Sequence, residues 1–216
     1  MHLFNLSRSG LIDYTAAQVA HNFPDGRGSV RARIADHLDE ALVRLQRCIN
    51  AVRIWKPDEF NYLQSSQYCT YLYFLSNTIW RNTGDTEVCT KLFLLNKLLN
   101  GIDCFYEIAM PDIFLIGHSV GIVLAKATYS NYFLLFQNST VGKNFGVAPV
   151  IEEGVIMYPN TAVVGRATVR KNTVISQGVG VINCETPGNC IAFRGEAGAL
   201  TFKPLKTNIL ADFFRL

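Results

Sequence analysis

The chain has 216 residues, 49% of them hydrophobic and 17% charged, with a net charge of +3. That excludes a disordered chain and leaves room for one or two compact domains with a buried core. A charge this small and scattered also excludes the basic stripe of a nucleic-acid binder; the only basic cluster is Arg166, Arg170 and Lys171. The N-terminal MHLFNLSRSGLIDY lacks the long apolar run of a secretion signal, so a cytoplasmic location is expected. The most apolar stretch, Tyr68 to Trp80, is too short to span a bilayer and carries Ser76, Asn77 and Thr78. None of the six cysteines has the paired spacing of a zinc site, and reduced, buried thiols are expected. Cys184 and Cys190 are near enough in sequence for a metal or redox role, but packing is the commoner use of such residues.

The first hundred residues read as helices. From Ser29 to Val52, the residues Val30, Ile34, Leu38, Leu42, Leu45 and Ile49 recur at spacings of three and four and make one apolar face. A second helix is expected from about Asn61 to Arg81. It is apolar nearly all round, which calls for burial between other helices or subunits. The turn Asn82-Thr83-Gly84-Asp85 follows, with Asp85 as the N-cap of a third helix that ends at Gly101. That helix carries Val88, Leu92, Leu95, Leu98 and Leu99.

Beyond Gly101 the period changes to six. Ile151, Met157, Val163, Val169, Ile175 and Val181 are large aliphatics at every sixth position. Four places after each of the first five stands Val155, Thr161, Ala167, Thr173 or Val179, with Gly154, Asn160, Asn172 and Gly178 in between. Neither an α-helix nor an alternating strand has a period of six. A triangular coil does, with one large residue pointing inward on each flat face and Gly or Asn at corners that need positive φ. Ile116, Ile122, Thr128, Leu134 and Thr140 carry the same spacing upstream but out of register. The break between the two runs falls in Lys143 to Pro149, expected as a loop extruded from the coil. The fold class is therefore α/β: an N-terminal helical domain over residues 1–102, used for oligomerisation, then a left-handed parallel β-helix of hexapeptide repeats over 103–195 and a tail over 196–216.

A regular coil has no groove of its own, so a cleft must form between neighbouring coils of a homotrimer or a dimer of trimers. Of the four histidines, only His118 lies in the coil. A lone histidine is more often structural than catalytic, but Asp103 stands fifteen residues earlier, close to one turn of coil. A carboxylate there can fix the imidazole tautomer and leave the second nitrogen as a general base. The bland alternative for Asp103 is a surface residue just past a helix end.

Residues Asp103 to about Gly195 resemble the serine acetyltransferases. The resemblance runs through Asp103 and His118, Gly121 to Leu124, Gln137, Thr140, Gly142, the PVIEEGV block at 149–155 and NTAVVG at 160–165. It implies an acyltransferase that moves an acetyl group from acetyl-CoA to a small hydroxyl-bearing acceptor, with His118 and Asp103 as the catalytic pair. Acetyl-CoA is then expected along the C-terminal coils near Gly142, Asn160 and Gly178, with Arg170, Lys171 or Arg194 meeting its phosphates. A solvated coil face is an equal reading of each of those cations taken singly. Three departures concern the acceptor and the tail. Gly117 stands where the family has an acid, Val147 and Ala148 stand where it has an Arg-His pair, and the chain ends in ADFFRL in place of the tail that docks into cysteine synthase. Serine or a serine-like amino acid is the first acceptor to consider. A sugar in surface-polysaccharide synthesis is the second, and a non-catalytic trimeric scaffold the third.

Overall fold

A computed structural model describes residues 1–27 and 30–216. Among the described residues, five α-helices and a three-sided coil share one continuous apolar core.

Helix α1 (Arg8–Asn22) was not foreseen in the sequence. Ser7 caps it by accepting from the Gly10 N–H at 3.0 Å, and it buries only Leu11, Thr15 and Val19, a stripe too thin to announce itself. Helix α2 (Val30–Ala51) buries Ile34, Leu38, Leu42, Leu45 and Ile49 as the spacing predicts; the expected start at Ser29 lies outside the described residues. Helix α3 (Ser65–Thr83) starts later than expected, because Gln64 takes the cap by accepting from the Gln67 N–H at 2.6 Å. Every residue from Ser66 to Ile79 is buried. That burial comes from within the chain, where α2 and helix α4 (Thr86–Asn100) flank α3.

The polar groups of α3 are satisfied there. Tyr73 Oη donates to the Ile108 carbonyl at 2.6 Å, and Asn77 Nδ2 donates to the Tyr106 carbonyl at 2.7 Å. The caps of α4 are as expected: Asp85 accepts from the Val88 N–H at 3.1 Å, and Gly101 ends the helix at φ 64°. Of the apolar residues that α4 carries, Val88, Leu92 and Leu95 are buried, while Leu98 and Leu99 are 60% and 48% exposed.

The coil has three parallel faces. The first stacks Phe114–Ile116, Phe133–Leu135, Ile156–Met157, Thr173–Ile175 and Cys190–Arg194. The second stacks Asp103–Cys104, Val123–Leu124, Thr140–Gly142, Ala162–Val164 and Gly180–Ile182. The third stacks Thr128–Tyr129, Val150–Ile151 and Thr168–Val169. The six large residues from Ile151 to Val181 are all 0% exposed, and their small partners are at most 3% exposed. Asn160, Asn172, Gly154 and Gly178 all sit at corners with positive φ.

The upstream phase differs from the expected one. The registers Ile116↔Leu135, Leu124↔Val141 and Tyr129↔Ile151 place Ile116, Leu124, Tyr129, Leu135 and Val141 inward. Thr128 is exposed and Leu134, though buried, lies on the outer side of its strand. Two insertions, together with a shortened step of five residues from Leu124 to Tyr129, cause the offset. The turn from Val141 to Val163 takes 22 residues where that from Val163 to Val181 takes 18, which accounts for the extruded loop. The corner between Ile116 and Leu124 takes eight residues where Leu135 to Val141 takes six, and this longer corner carries His118.

The tail folds back. Leu200–Pro204 pairs antiparallel with Cys190–Arg194 and closes the coil. Helix α5 (Leu210–Phe213) then returns the chain to α2, with Phe214 fully buried and bridged to Val52.

Candidate functional site

The corner between the first and second faces forms one continuous edge. Asn138 N–H donates to the Val120 carbonyl, Asn160 N–H to the Gln137 carbonyl and Gly178 N–H to the Pro159 carbonyl, at 2.9, 3.1 and 3.0 Å. Asn138 Nδ2 also donates to Asn160 Oδ1 at 3.0 Å, and Arg194 Nη2 donates to the Gly178 carbonyl at 3.1 Å. His118, Asn160, Gly178 and Arg194 therefore lie along a single edge of the coil. The two additional residues in its corner bring His118 out to an exposed position. Below it, a shallow cleft of about 280 Å³ is lined by Val179, Gly180, Ile182, Arg194, Gly198 and Leu200.

Asp103 enters the second face beside this corner. Its N–H donates to the Ile122 carbonyl at 2.8 Å, and Gly121 N–H donates to the Gly101 carbonyl at 3.0 Å. Asp103 thus stands one turn above the corner that carries His118, paired with Val123, yet no hydrogen bond or ion pair joins the two side chains. The Asp103 carboxylate instead accepts from Lys97 Nζ at 2.7 Å, from the last turn of α4.

The other expected contacts divide. Gly142 ends its strand on the second face, its carbonyl accepting from the Gly165 N–H at 3.0 Å. Arg170 and Lys171 lie on a different edge, between the third and first faces. Arg170 is held there by Glu185 at 2.5 Å and Glu152 at 2.9 Å, and these two carboxylates push its pKa up further. Its guanidinium is engaged by both carboxylates. The Lys171 N–H donates to Glu152 at 3.0 Å and its side chain is exposed.

Spacing alone did not point to an aromatic group beside His118. The Phe136 ring centroid is 6.3 Å from the imidazole, and Phe136 stacks on Tyr158 at 5.5 Å with planes 6° apart. These rings follow Gly117 on successive turns, 19 and then 22 residues apart, intervals that no hexad count predicts. Gln137 next to them has a buried amide oxygen without a hydrogen-bond partner. The extruded loop leaves from another corner, between the second and third faces, and is a short hairpin closed by the Asn144↔Val147 bridge with Phe145 99% exposed at its tip.

The six cysteines are free thiols, and burial pushes Cys48, Cys69 and Cys89 up to about 12. Among the described residues, no group of three or more His, Cys, Asp or Glu side chains is placed to hold a metal ion, and no helix is long and apolar enough to cross a membrane.

No protein-family model and no curated protein matches the sequence. Solved structures do. A serine acetyltransferase from Brucella abortus superimposes with a TM-score of 0.72 at 16% identity, over 91% of this chain and 84% of that one. This chain has the serine acetyltransferase fold. The Neisseria gonorrhoeae serine acetyltransferase shares that fold with a TM-score of 0.70 at 14% identity, over 94% and 82% of the two chains. A serine acetyltransferase in complex with CoA does so with a TM-score of 0.67 at 17% identity, over 91% and 86%. The serine acetyltransferase fold comprises both halves seen here, the helices and the left-handed parallel β-helix, so the expected fold class holds.

Proposed function

We propose that the chain is an acetyl-CoA-dependent O-acetyltransferase working by direct transfer, with His118 as general base. The observation that carries this reading is the extended corner that exposes His118 at the head of the edge bearing Asn160, Gly178 and Arg194. The fold shared with a structure solved in complex with CoA supports it.

In this mechanism the acceptor hydroxyl gives its proton to an imidazole nitrogen of His118 as its oxygen attacks the thioester carbonyl. The tetrahedral intermediate collapses with cleavage of the C–S bond. The imidazolium returns the proton to the departing thiolate, leaving the acetyl ester and free CoA thiol. Asp103 is the group that steadies the imidazolium. Its ion pair with Lys97 is 35% exposed on the acid side and 51% on the lysine side, and such pairs hold with only about 0–1 kcal/mol. A charge forming on His118 can draw the carboxylate away from it. Acetyl-CoA lies against Asn160 and Gly178, with Arg194 as the phosphate ligand on that edge.

The assembly is a homotrimer or a dimer of trimers. The loop and His118 stand on different corners of the coil, so the loop of one copy reaches the His118 edge of a neighbour across a three-fold axis. The exposed Leu94, Leu98 and Leu99 on α4 form a second apolar patch for joining trimers.

Two measurements test the reading. Calorimetry should show CoA binding to the wild type. Free-thiol release from acetyl-CoA should depend on an added hydroxyl acceptor and be lost in His118→Ala. A wild-type chain that binds no CoA at millimolar concentration is a scaffold, not an enzyme.

A further inference from the structure

The peptide group between Gly117 and His118 carries the imidazole into the site, and glycine by itself leaves that group free to turn. The Phe136 ring keeps position 117 a glycine, since an ideal Cβ there would lie 2.7 Å from two of its carbons. The coil fixes one side of the residue: the Gly117 N–H donates to the Leu135 carbonyl at 2.8 Å. The other side has no coil to hold it. Phe114–Ile116 is the outermost strand of the first face, so no earlier turn bonds to its open edge. Past His118, the corner is next tied to the rest of the chain at the Val120 carbonyl and the Gly121 N–H.

The helices supply donors along that open edge. Cys48 Sγ of α2 donates to the Phe114 carbonyl at 3.0 Å, and Ser66 Oγ of α3 donates to the Gly117 carbonyl at 3.2 Å. Ser66 is 7% exposed and sits in the first turn of α3. That turn is itself braced. The Ser66 carbonyl accepts from Thr70 Oγ1 at 2.8 Å, and Gln67 Oε1 accepts from the Asn61 N–H at 2.8 Å. A donor on a braced, buried turn has one place to stand, so the Gly117 carbonyl is held where Ser66 puts it. The imidazole of His118 is exposed, with the Phe136 ring centroid 6.3 Å away, and takes its place from the backbone beneath it.

We propose that Ser66 is a positioning residue for acyl transfer: its hydroxyl fixes the Gly117–His118 peptide plane and so aims the imidazole at the acceptor hydroxyl. This rests on the acyl-transfer reading above. A general base must stand within hydrogen-bond reach of the proton it takes, and a displacement of about 1 Å costs on the order of a hundredfold in rate. The helical half then has a part in the site itself, and not in assembly alone.

The test compares wild type, Ser66→Ala and Ser66→Thr as full chains, by spectroscopy and by kinetics. Long-range ¹H–¹⁵N spectra resolve the four imidazoles, and His118→Ala assigns the ring in question. Ser66→Ala should move the His118 ring resonances and leave those of His2, His21 and His37 in place. Ser66→Thr, which keeps the hydroxyl, should return them. Thiol release from acetyl-CoA is read with L-serine and a panel of methyl pyranosides as acceptors. Ser66→Ala should lower kcat roughly tenfold, with the KM for acetyl-CoA and calorimetric CoA affinity unchanged, and Ser66→Thr should recover most of it. Unmoved His118 resonances in Ser66→Ala overturn the proposal and leave acyl transfer standing. So does an unchanged kcat. Resonances that move at all four histidines, with CoA affinity lost alongside kcat, make Ser66 a packing residue and overturn its positioning role. A wild type that releases no thiol with any acceptor overturns acyl transfer itself, and this role with it.

Discussion

Phe136 fills the space into which a side chain on Gly117 would have to grow. An ideal Cβ at position 117 would lie 2.7 Å from both Cδ1 and Cε1 of the Phe136 ring, nearer than carbon atoms approach one another. The glycine and the ring are a matched pair. The acid that the resembling family carries at this position has no room here while Phe136 remains.

Gly117→Asp should therefore destabilise the chain and not simply restore an amino-acid contact. The cost should be about 1–3 kcal/mol, the usual range for overpacking. Gly117→Ala should show part of it, and adding Phe136→Ala should relieve it, so a double-mutant cycle by thermal melting checks the coupling. Additive melting shifts would mean that the two residues do not compete for space. Stronger serine binding in Gly117→Asp without loss of stability would contradict the steric account.

His118→Ala should lower turnover by roughly 10² to 10⁴, as loss of a general base does, with an unchanged melting temperature because the imidazole is exposed. Asp103→Asn should be milder, since the imidazole stays in place. Lys97→Met, which frees the Asp103 carboxylate, should not reduce turnover. Steady-state kinetics beside calorimetric CoA titration separates these cases. A His118→Ala protein that keeps its turnover but melts several degrees lower would make His118 a packing residue.

Arg215 should matter for stability out of proportion to its place near the end of the chain. Its guanidinium donates to the carbonyls of Asn50, Val52, Arg53 and Trp55, at 2.5 to 3.1 Å. Arg215→Ala leaves these acceptors without their donor and loosens Phe214 from the core. The expected loss is on the order of 1–3 kcal/mol by urea denaturation. An unchanged midpoint would show that the tail docks through Phe214 alone.

Alkali should unfold the chain before it reaches the buried thiols. Cys48, Cys69 and Cys89 ionise near 12 in the folded state against 9.0 for a free thiol, because burial disfavours the thiolate. Their contribution to stability is intact below pH 9.0 and is lost as pH rises from 9.0 towards 12, since only the unfolded chain releases those protons in that window. Each thiol takes up to about 1.4 kcal/mol per pH unit there. Urea midpoints at pH 8 and pH 10 measure the fall, and Cys48→Ala should flatten it. In the native protein below that window, half-buried Cys184 should be the first thiol to react with a disulfide reagent.

Phe145→Ser should leave the fold of each chain unchanged, because the side chain is 99% exposed and touches nothing within its own coil. If the loop closes a neighbour's cleft, the same change should raise the acceptor KM and weaken the trimer. Sedimentation at micromolar concentration and initial-rate kinetics read both effects. Unaltered values for both would place the loop outside the site.

The coil from Ile151 to Val181 was legible in the sequence because each turn there is 18 residues and every hexad contributes one inward side chain to one stack. A strict local period carries its own three-dimensional answer. The caps at Asp85 and Gly101 were legible for the same reason, since each is settled by a few neighbouring backbone groups. The upstream phase was not legible. Two insertions, one at His118 and one at the loop, and the short step from Leu124 to Tyr129 shift the register, and only strand pairing shows where they fall. Helix α3 read as apolar on all sides, but only packing decided that α2 and α4 cover it within the chain. His118 and Asp103 were found as residues of the right kind at a suggestive spacing. Tertiary structure paired Asp103 with Lys97, moved Arg170 to another edge and set Phe136 beside the imidazole. Those outcomes depend on which turns lie next to one another and on charges brought together from distant parts of the chain, which no local period encodes.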